Sequence, residues 1–233
     1  MSNPLTIHQR DDLEDRTGVF QDREEAGHVL ATMLADLADR GALLLAIPSG
    51  GVPVGVEIAR ELKLPLDVAV ASKIPRPGDP EAGYGAVAFD GTVHLDDRFI
   101  AAAGLEQSQI QRDIEATKEK ICWRLEGLRG DQPMPELAGR PVVLVDDGLA
   151  GGWTMGVVVE ALRKAGADEL YAAIPTGHAS AVRAVAAQVE AVYCPNVRSG
   201  RVFAVADAYR QWTDVTEAEA AKLLETFPRG RHR

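Results

Sequence analysis

Cysteine is nearly absent from this sequence. Cys122 and Cys194 stand far apart and outside any C-x-x-C pair, which excludes a disulfide framework and a cysteine-built zinc site and fits a reducing compartment. Long apolar runs are missing too: none approaches the roughly 18–20 residues that a membrane span requires. The opening segment MSNPLTIHQRDDLEDR is polar and acidic and carries no apolar signal core. These absences lead to the expectation of a cytoplasmic protein with no membrane partner. Surplus positive charge is lacking as well. With 25 Lys and Arg against 35 Asp and Glu, the net charge is −10, a field that repels nucleic acid and anionic membranes and argues against a nucleic-acid partner. The same field repels phosphorylated small molecules, so a phosphate site must be built locally from backbone N–H groups, a metal ion or a few cations. No internal repeat or low-complexity tract is present.

What the sequence does have is apolar content of 46%, enough for a core. Its 233 residues suit one α/β domain with extensions. Apolar runs at 42–47, 66–71, 140–145, 170–174 and 191–194 read as buried strands. Helical periodicity marks 22–39, 52–63, 154–165 and 179–188; residues 96–103 and the long, mostly polar 106–128 also read as helices. Such alternation implies a central parallel sheet with helices on both faces. Ligands of such sheets sit beyond the carboxyl ends of the strands, which directs attention to the loops 48–51, 72–83 and 146–154. Asp90-Gly91, between two short apolar runs, is a hairpin signal. The chain therefore divides into a mobile N-terminal tail (1–18), a core (19–195) with a lid loop (72–95), and a C-terminal segment (196–233). That last segment ends in a helix begun at Thr216, with Glu219 placed for a capping box.

One segment carries chemistry. In VVLVDDGLAGGWT, residues 142–154, an apolar strand delivers Asp146 and Asp147, then a glycine-rich loop, then a helix. The loop and the helix start expose N–H groups and a positive helix end, an anion site to which Thr154 adds a hydroxyl. The two carboxylates offer four acceptor oxygens, suited to a vicinal diol that donates two hydrogen bonds side by side. A phosphate at one end and a diol at the other match a ribose 5-phosphate. A lone D-D-G reads more simply as a helix cap; the apolar strand before it and Gly-Gly-x-Thr after it favour the sugar-phosphate site. The segment is not a Walker loop, because no Gly-Lys-Ser/Thr follows, and it lacks the G-x-G-x-x-G spacing of a dinucleotide site.

The same segment resembles the phosphoribosyl diphosphate motif of type I phosphoribosyltransferases. AIPSGGVPVGVEIARELKLPLDVAVASKI and FAVADAYRQWTDVTEAEA resemble the early and C-terminal parts of a bacterial subgroup of that family, so the likeness spans about residues 19–224. The resemblance implies the type I phosphoribosyltransferase fold with a small hood from the C-terminal segment. It implies that Gly148, Leu149, Ala150, Gly151, Gly152, Trp153 and Thr154 bind the 5-phosphate, while Asp146 and Asp147 bind the ribose hydroxyls. Ser49, Gly50 and Gly51 would bind pyrophosphate in a loop that often carries a cis peptide. Lys73 would neutralise pyrophosphate, Arg76 would add a cation on the lid, and Phe203, Tyr209 and Trp212 would form the acceptor hood. Mg²⁺ is the implied cofactor, carried by the substrate and reached by Asp146 or Asp147 through water.

Three residues depart from the subgroup pattern. Ser49 stands where Arg is usual, Gly151 where a Thr contacts the phosphate, and Trp153 where a small residue is usual. Losing one hydrogen bond to a charged group costs on the order of 1.5–3 kcal/mol. Two functions are therefore expected. The first is transfer of a 5-phosphoribosyl group from phosphoribosyl diphosphate to a nitrogenous acceptor, with release of pyrophosphate. The second, which the departures favour, is a non-catalytic module that binds a phosphorylated ribose or nucleotide. His178 is the one histidine placed near a strand end, and Arg198 and Arg201 could reach an anionic acceptor. A homodimer is expected only because twofold dimers are common.

Overall fold

Strand and helix alternate along the chain as the apolar pattern predicts. The computed structural model describes residues 5–225 and 227, leaving aside the side chains of Pro80 and Glu81. The first elements are β1 (Ile7–His8), α1 (Arg23–Met33), α2 (Ala35–Ala38), β2 (Leu43–Ala46), α3 (Gly51–Leu62) and β3 (Leu66–Val68). An antiparallel panel follows, made of β4 (Ala71–Arg76), β5 (Asp79–Ala88) and β6 (Val93–Leu95). Next come α4 (Asp97–Ala103), α5 (Gln107–Arg129), β7 (Pro141–Val145), α6 (Trp153–Lys164), β8 (Glu169–Ala173), β9 (Thr176–His178) and α7 (Ala179–Ala186). The chain closes with β10 (Ala191–Tyr193), β11 (Asn196–Arg198), a 3₁₀ turn (Val205–Ala208) and α8 (Glu217–Glu225).

Six strands form one parallel sheet in the order β1-β10-β8-β7-β2-β3. Period-two alternation divides its side chains between two cores. Leu44, Ala46, Val143 and Val145 face one layer, built by α1, α3, α5 and α8. Leu43, Leu45, Val142 and Leu144 face the other, built by α6 and α7. The chain leaves β2 toward β3 through α3 and leaves β7 toward β8 through α6, so the two connections depart on opposite faces. Adjacent β2 and β7, with Ala46 beside Val145, are thus a topological switch point, where the loops beyond their ends part and leave a crevice.

Two expectations need correction, and the described part of the tail can be placed: it packs on the sheet edge and the C-terminal segment. Ile7 pairs with Val192 at the sheet edge, the Asp15 carboxylate accepts from the Ser199 N–H and hydroxyl, and the Leu13 and Arg16 carbonyls accept from Asn196. A two-residue strand is too short to leave a period in the sequence. Residues 72–83 are not a loop: β4 pairs with β5 from Ala71↔Ala88 to Arg76↔Asp79, with register shifts at Pro75. The Pro, Gly and charged residues that suggest a loop sit instead at that irregularity, at the turn and on exposed strand positions. The run 66–71 is split, because β3 stays in the main sheet while the chain crosses at residues 69–70 into the panel. The Asp90-Gly91 turn is present, with Gly91 at φ 86°, and so is the Thr216/Glu219 capping box.

Candidate functional site

The apolar strand β7 ends at Val145 and hands the chain to Asp146 at the switch point. The parallel loop from β2 runs beside it: Ile47 N–H donates to the Val145 carbonyl at 2.8 Å. The peptide bond between Pro48 and Ser49 is cis, and α3 starts directly afterwards at Gly51. On the β7 side, Leu149 is pinned across to β9, accepting from His178 N–H at 2.9 Å and donating to the Thr176 carbonyl at 2.9 Å. Gly152, at φ 78°, makes the left-handed turn into α6. No side chain caps this helix, and its first ladder bond is Gly156 N–H to Gly152 O. The amides of residues 153–155 therefore precede the ladder at the positive end of a 12-residue helix, which suits an anion.

A cleft of about 280 Å³ opens in front of these amides. Its wall is the segment 148–155 and Asp146, faced by Lys73 of β4, Gly83 and Gly85 of β5, and Val205 of the C-terminal segment. Trp153 is at the lip, 44% exposed. A Cβ built on Gly151 would lie 3.3 Å from the Trp153 Cδ1, so the two departures from the family pattern are neighbours: the indole occupies the space beside a bare glycine. The cleft remains open.

The two acids have different surroundings. Asp146 lines the cleft, and its Oδ1 accepts from the Asp147 N–H at 2.9 Å. Burial, reinforced by the neighbouring Asp147 carboxylate, pushes its pKa well above the ordinary carboxyl range. The Asp147 carboxylate is not part of the cleft wall. Its Oδ2 accepts from Arg23 Nε at 2.9 Å and pairs with Nη2 at 2.8 Å. Arg23 also donates to the Thr213 carbonyl and lies 3.9 Å from the centroid of the Trp212 ring. The Tyr209 hydroxyl donates to the Asp147 carbonyl at 2.5 Å. Gly50 closes the knot, since a Cβ there would overlap the Asp147 carboxylate. Burial raises the pKa of Asp147 and the Arg23 guanidinium pulls it back. Burial likewise lifts the Tyr209 phenol, so its hydroxyl stays a donor.

The other expected residues divide as follows. Ser49, Gly50 and Gly51 form the turn beside Asp147. Arg76 is outside the cleft wall; its Nε donates to the Gly83 carbonyl at 3.1 Å and its guanidinium stacks on Phe99 at 4.3 Å. The three hood aromatics separate: Tyr209 and Trp212 pack together around Arg23, while Phe203 lies edge-on to His178 and beneath Arg198. His178 caps α7 through Ser180. A larger hollow, about 570 Å³, borders Arg23, Pro53, Asp214 and Lys222, but contains neither Asp146 nor the loop. Among the described residues no group of three or more His, Cys, Asp or Glu could hold a metal alone, and no helix is long and apolar enough to cross a membrane. Arg23 and Val205 escape the sequence reading because each reaches the site from a distant segment.

The chain is similar to known proteins. Residues 24–207 match the phosphoribosyl transferase domain. Two Mycobacterium tuberculosis proteins, of strains CDC 1551 and H37Rv, are each 33% identical over 207 residues and are provisionally named as phosphoribosyl transferases. The match covers 89% of this chain and 46% of theirs, so the chain spans about half the length of these relatives. The crystal structure of TT1426 from Thermus thermophilus is 32% identical, with a TM-score of 0.72 over 89% of this chain and 98% of that one.

Proposed function

From the premise that the chain belongs to the type I phosphoribosyltransferase family, we propose that the cleft at Asp146 binds phosphoribosyl diphosphate and transfers its 5-phosphoribosyl group to a nitrogenous acceptor. One observation carries this reading: Asp146, the uncapped start of α6 and Lys73 share a single cleft. The amides of 153–155 and the Thr154 hydroxyl hold the 5-phosphate. Asp146 accepts from the ribose hydroxyls, and Lys73 offsets the diphosphate charge. In the reaction the acceptor nitrogen forms a bond to the anomeric carbon as the carbon–oxygen bond to pyrophosphate breaks. Pyrophosphate leaves with the electron pair, and the acceptor gives up its proton. Fixed donors aimed at the departing anion stabilise that step.

A hard, oxygen-lined position suits Mg²⁺ bound through one carboxylate and substrate phosphates. Among the described residues, Asp146 is the one carboxylate on the cleft wall, so it is the residue that would reach the ion. When bound, the ion supplies charge neutralisation at the diphosphate.

A second reading follows from the Arg23–Asp147 pair. With one carboxylate already committed to a buried guanidinium, the protein binds a phosphorylated ribose without turnover. Mixing the protein with phosphoribosyl diphosphate, Mg²⁺ and a panel of nitrogenous acceptors separates the two. Acceptor-dependent pyrophosphate release establishes the transferase; saturable binding without release establishes the binding module. Absence of both removes the reading.

A further inference from the structure

The long helix α5 reads in sequence as a solvated cover, yet its buried positions include Ile110, Ile114, Thr117, Ile121, Arg124 and Leu128. These recur at intervals of four and three residues, the stripe of a core-facing helix. An arginine therefore occupies a core position. Arg124 is 8% exposed. Its Nη2 donates to the Pro48 carbonyl at 3.0 Å and its Nη1 to the Ala71 carbonyl at 2.9 Å. Its Nε pairs with Glu217 at the start of α8.

The placement of these two carbonyls gives the residue its meaning. Pro48 contributes the carbonyl of the cis peptide that leads into Ser49-Gly50-Gly51. Ala71 opens β4, two residues before Lys73. The two acceptors lie 76 and 53 residues from Arg124 in the chain. One follows β2 of the main sheet and the other belongs to the panel, and one planar guanidinium spans both. A guanidinium presents its donors in a fixed fork, so it sets the spacing of the two backbones as well as linking them. Lysine carries the charge without that fork.

We infer that Arg124 is a positioning residue that fixes the Lys73 strand against the turn 48–51, and through that strand the diphosphate contact proposed for Lys73. The inference rests on the proposed function for the identity of the ligand. The 5-phosphate contacts lie on the other side of the cleft, at the start of α6, and share none of Arg124's hydrogen bonds. Diphosphate affinity therefore depends on Arg124 and monophosphate affinity does not.

The test uses the full chain and two variants, Arg124→Lys and Arg124→Gln. Calorimetry with Mg²⁺ measures inorganic pyrophosphate and ribose 5-phosphate separately, and amide hydrogen exchange follows residues 49–51 and 71–73. Both variants are expected to bind pyrophosphate at least about tenfold more weakly, the scale of one lost charge-assisted contact. Ribose 5-phosphate affinity is expected to hold within about twofold, with Arg124→Lys giving no rescue. Exchange rises at 49–51 and 71–73 while residues 149–154 stay as in the parent. Equal losses for both ligands, unchanged pyrophosphate affinity, or full rescue by lysine overturns the inference. A parent protein that binds ribose 5-phosphate but no pyrophosphate also overturns it. A parent that binds neither ligand sinks the functional reading itself, and with it the subsite that Arg124 would serve.

Discussion

Two regions meet at adjacent residues and are built in opposite ways. The cleft side, Asp146 and residues 148–154, comes from one short stretch of chain and lines an open space. The knot around Asp147 draws Arg23, Gly50, Tyr209 and Trp212 from three other segments, and it closes around its charges. The chain thus assigns one carboxylate to a ligand and its neighbour to joining the N-terminal helix, the β2–α3 turn and the C-terminal segment. Side chains of the cleft are expected to govern binding, and those of the knot to govern stability.

The sharpest way to break that division is Arg23→Ala. It leaves the Asp147 carboxylate, 15% exposed, without its cation, and removing one partner of a buried pair costs about 3 kcal/mol or more. A urea midpoint within error of the parent would show that the pair carries no stability. Gly50→Ala comes next. Its backbone is ordinary, at φ −63°, so the penalty comes from the new methyl meeting a carboxylate held by Arg23. Overpacking of this kind costs roughly 2 kcal/mol, and the same urea experiment reads it. Tyr209→Phe removes only the bond to the Asp147 carbonyl and costs about 1 kcal/mol.

The last stability change, similar in size to that of Tyr209→Phe, should have the opposite sign. Asp146→Asn abolishes measurable binding of phosphoribosyl diphosphate, yet it is expected to raise the melting temperature of the unliganded protein by about 2–4 °C, the scale of 1 kcal/mol for a chain this size. The reason is linkage. The folded state raises the pKa of Asp146, so it binds the proton more tightly than the unfolded chain does. Stability then falls as pH climbs from the ordinary carboxyl range toward the elevated value. Asparagine removes that slope. Melting curves of parent and variant from about pH 4 upward, run without ligand, decide the point; parallel curves would place Asp146 among unperturbed surface acids.

Legibility follows the same boundary. The strand–loop–helix at 142–154 is readable because apolar run, acids, glycines and helix start are consecutive; that local pattern brings Asp146, the glycines and the helix start into one cleft, but does not show that Arg23 holds Asp147 out of it. The parallel sheet is readable for a similar reason, through apolar runs that alternate with helical patterns. Arg23 is not, because its partner lies 124 residues away and nothing local to α1 distinguishes it from a surface cation. Arg124 leaves a faint signal, a charged residue on an apolar stripe, that only the full period of α5 makes visible. Residues 72–83 of the panel are misread as a loop because Pro75, Gly78 and Gly83 are turn-formers by composition, while pairing across strands is what shapes them here.

That panel has an energetic consequence. A covering segment that is disordered until ligand arrives must lose its backbone freedom at that moment, at about 1–2 kcal/mol per residue, and affinity falls accordingly. Residues 71–95 are already cross-linked by an antiparallel ladder that runs from Ala71 to Leu95. The conformational entropy of this wall is lost during folding, so the incoming molecule meets a preorganised face and affinity does not bear that ordering cost.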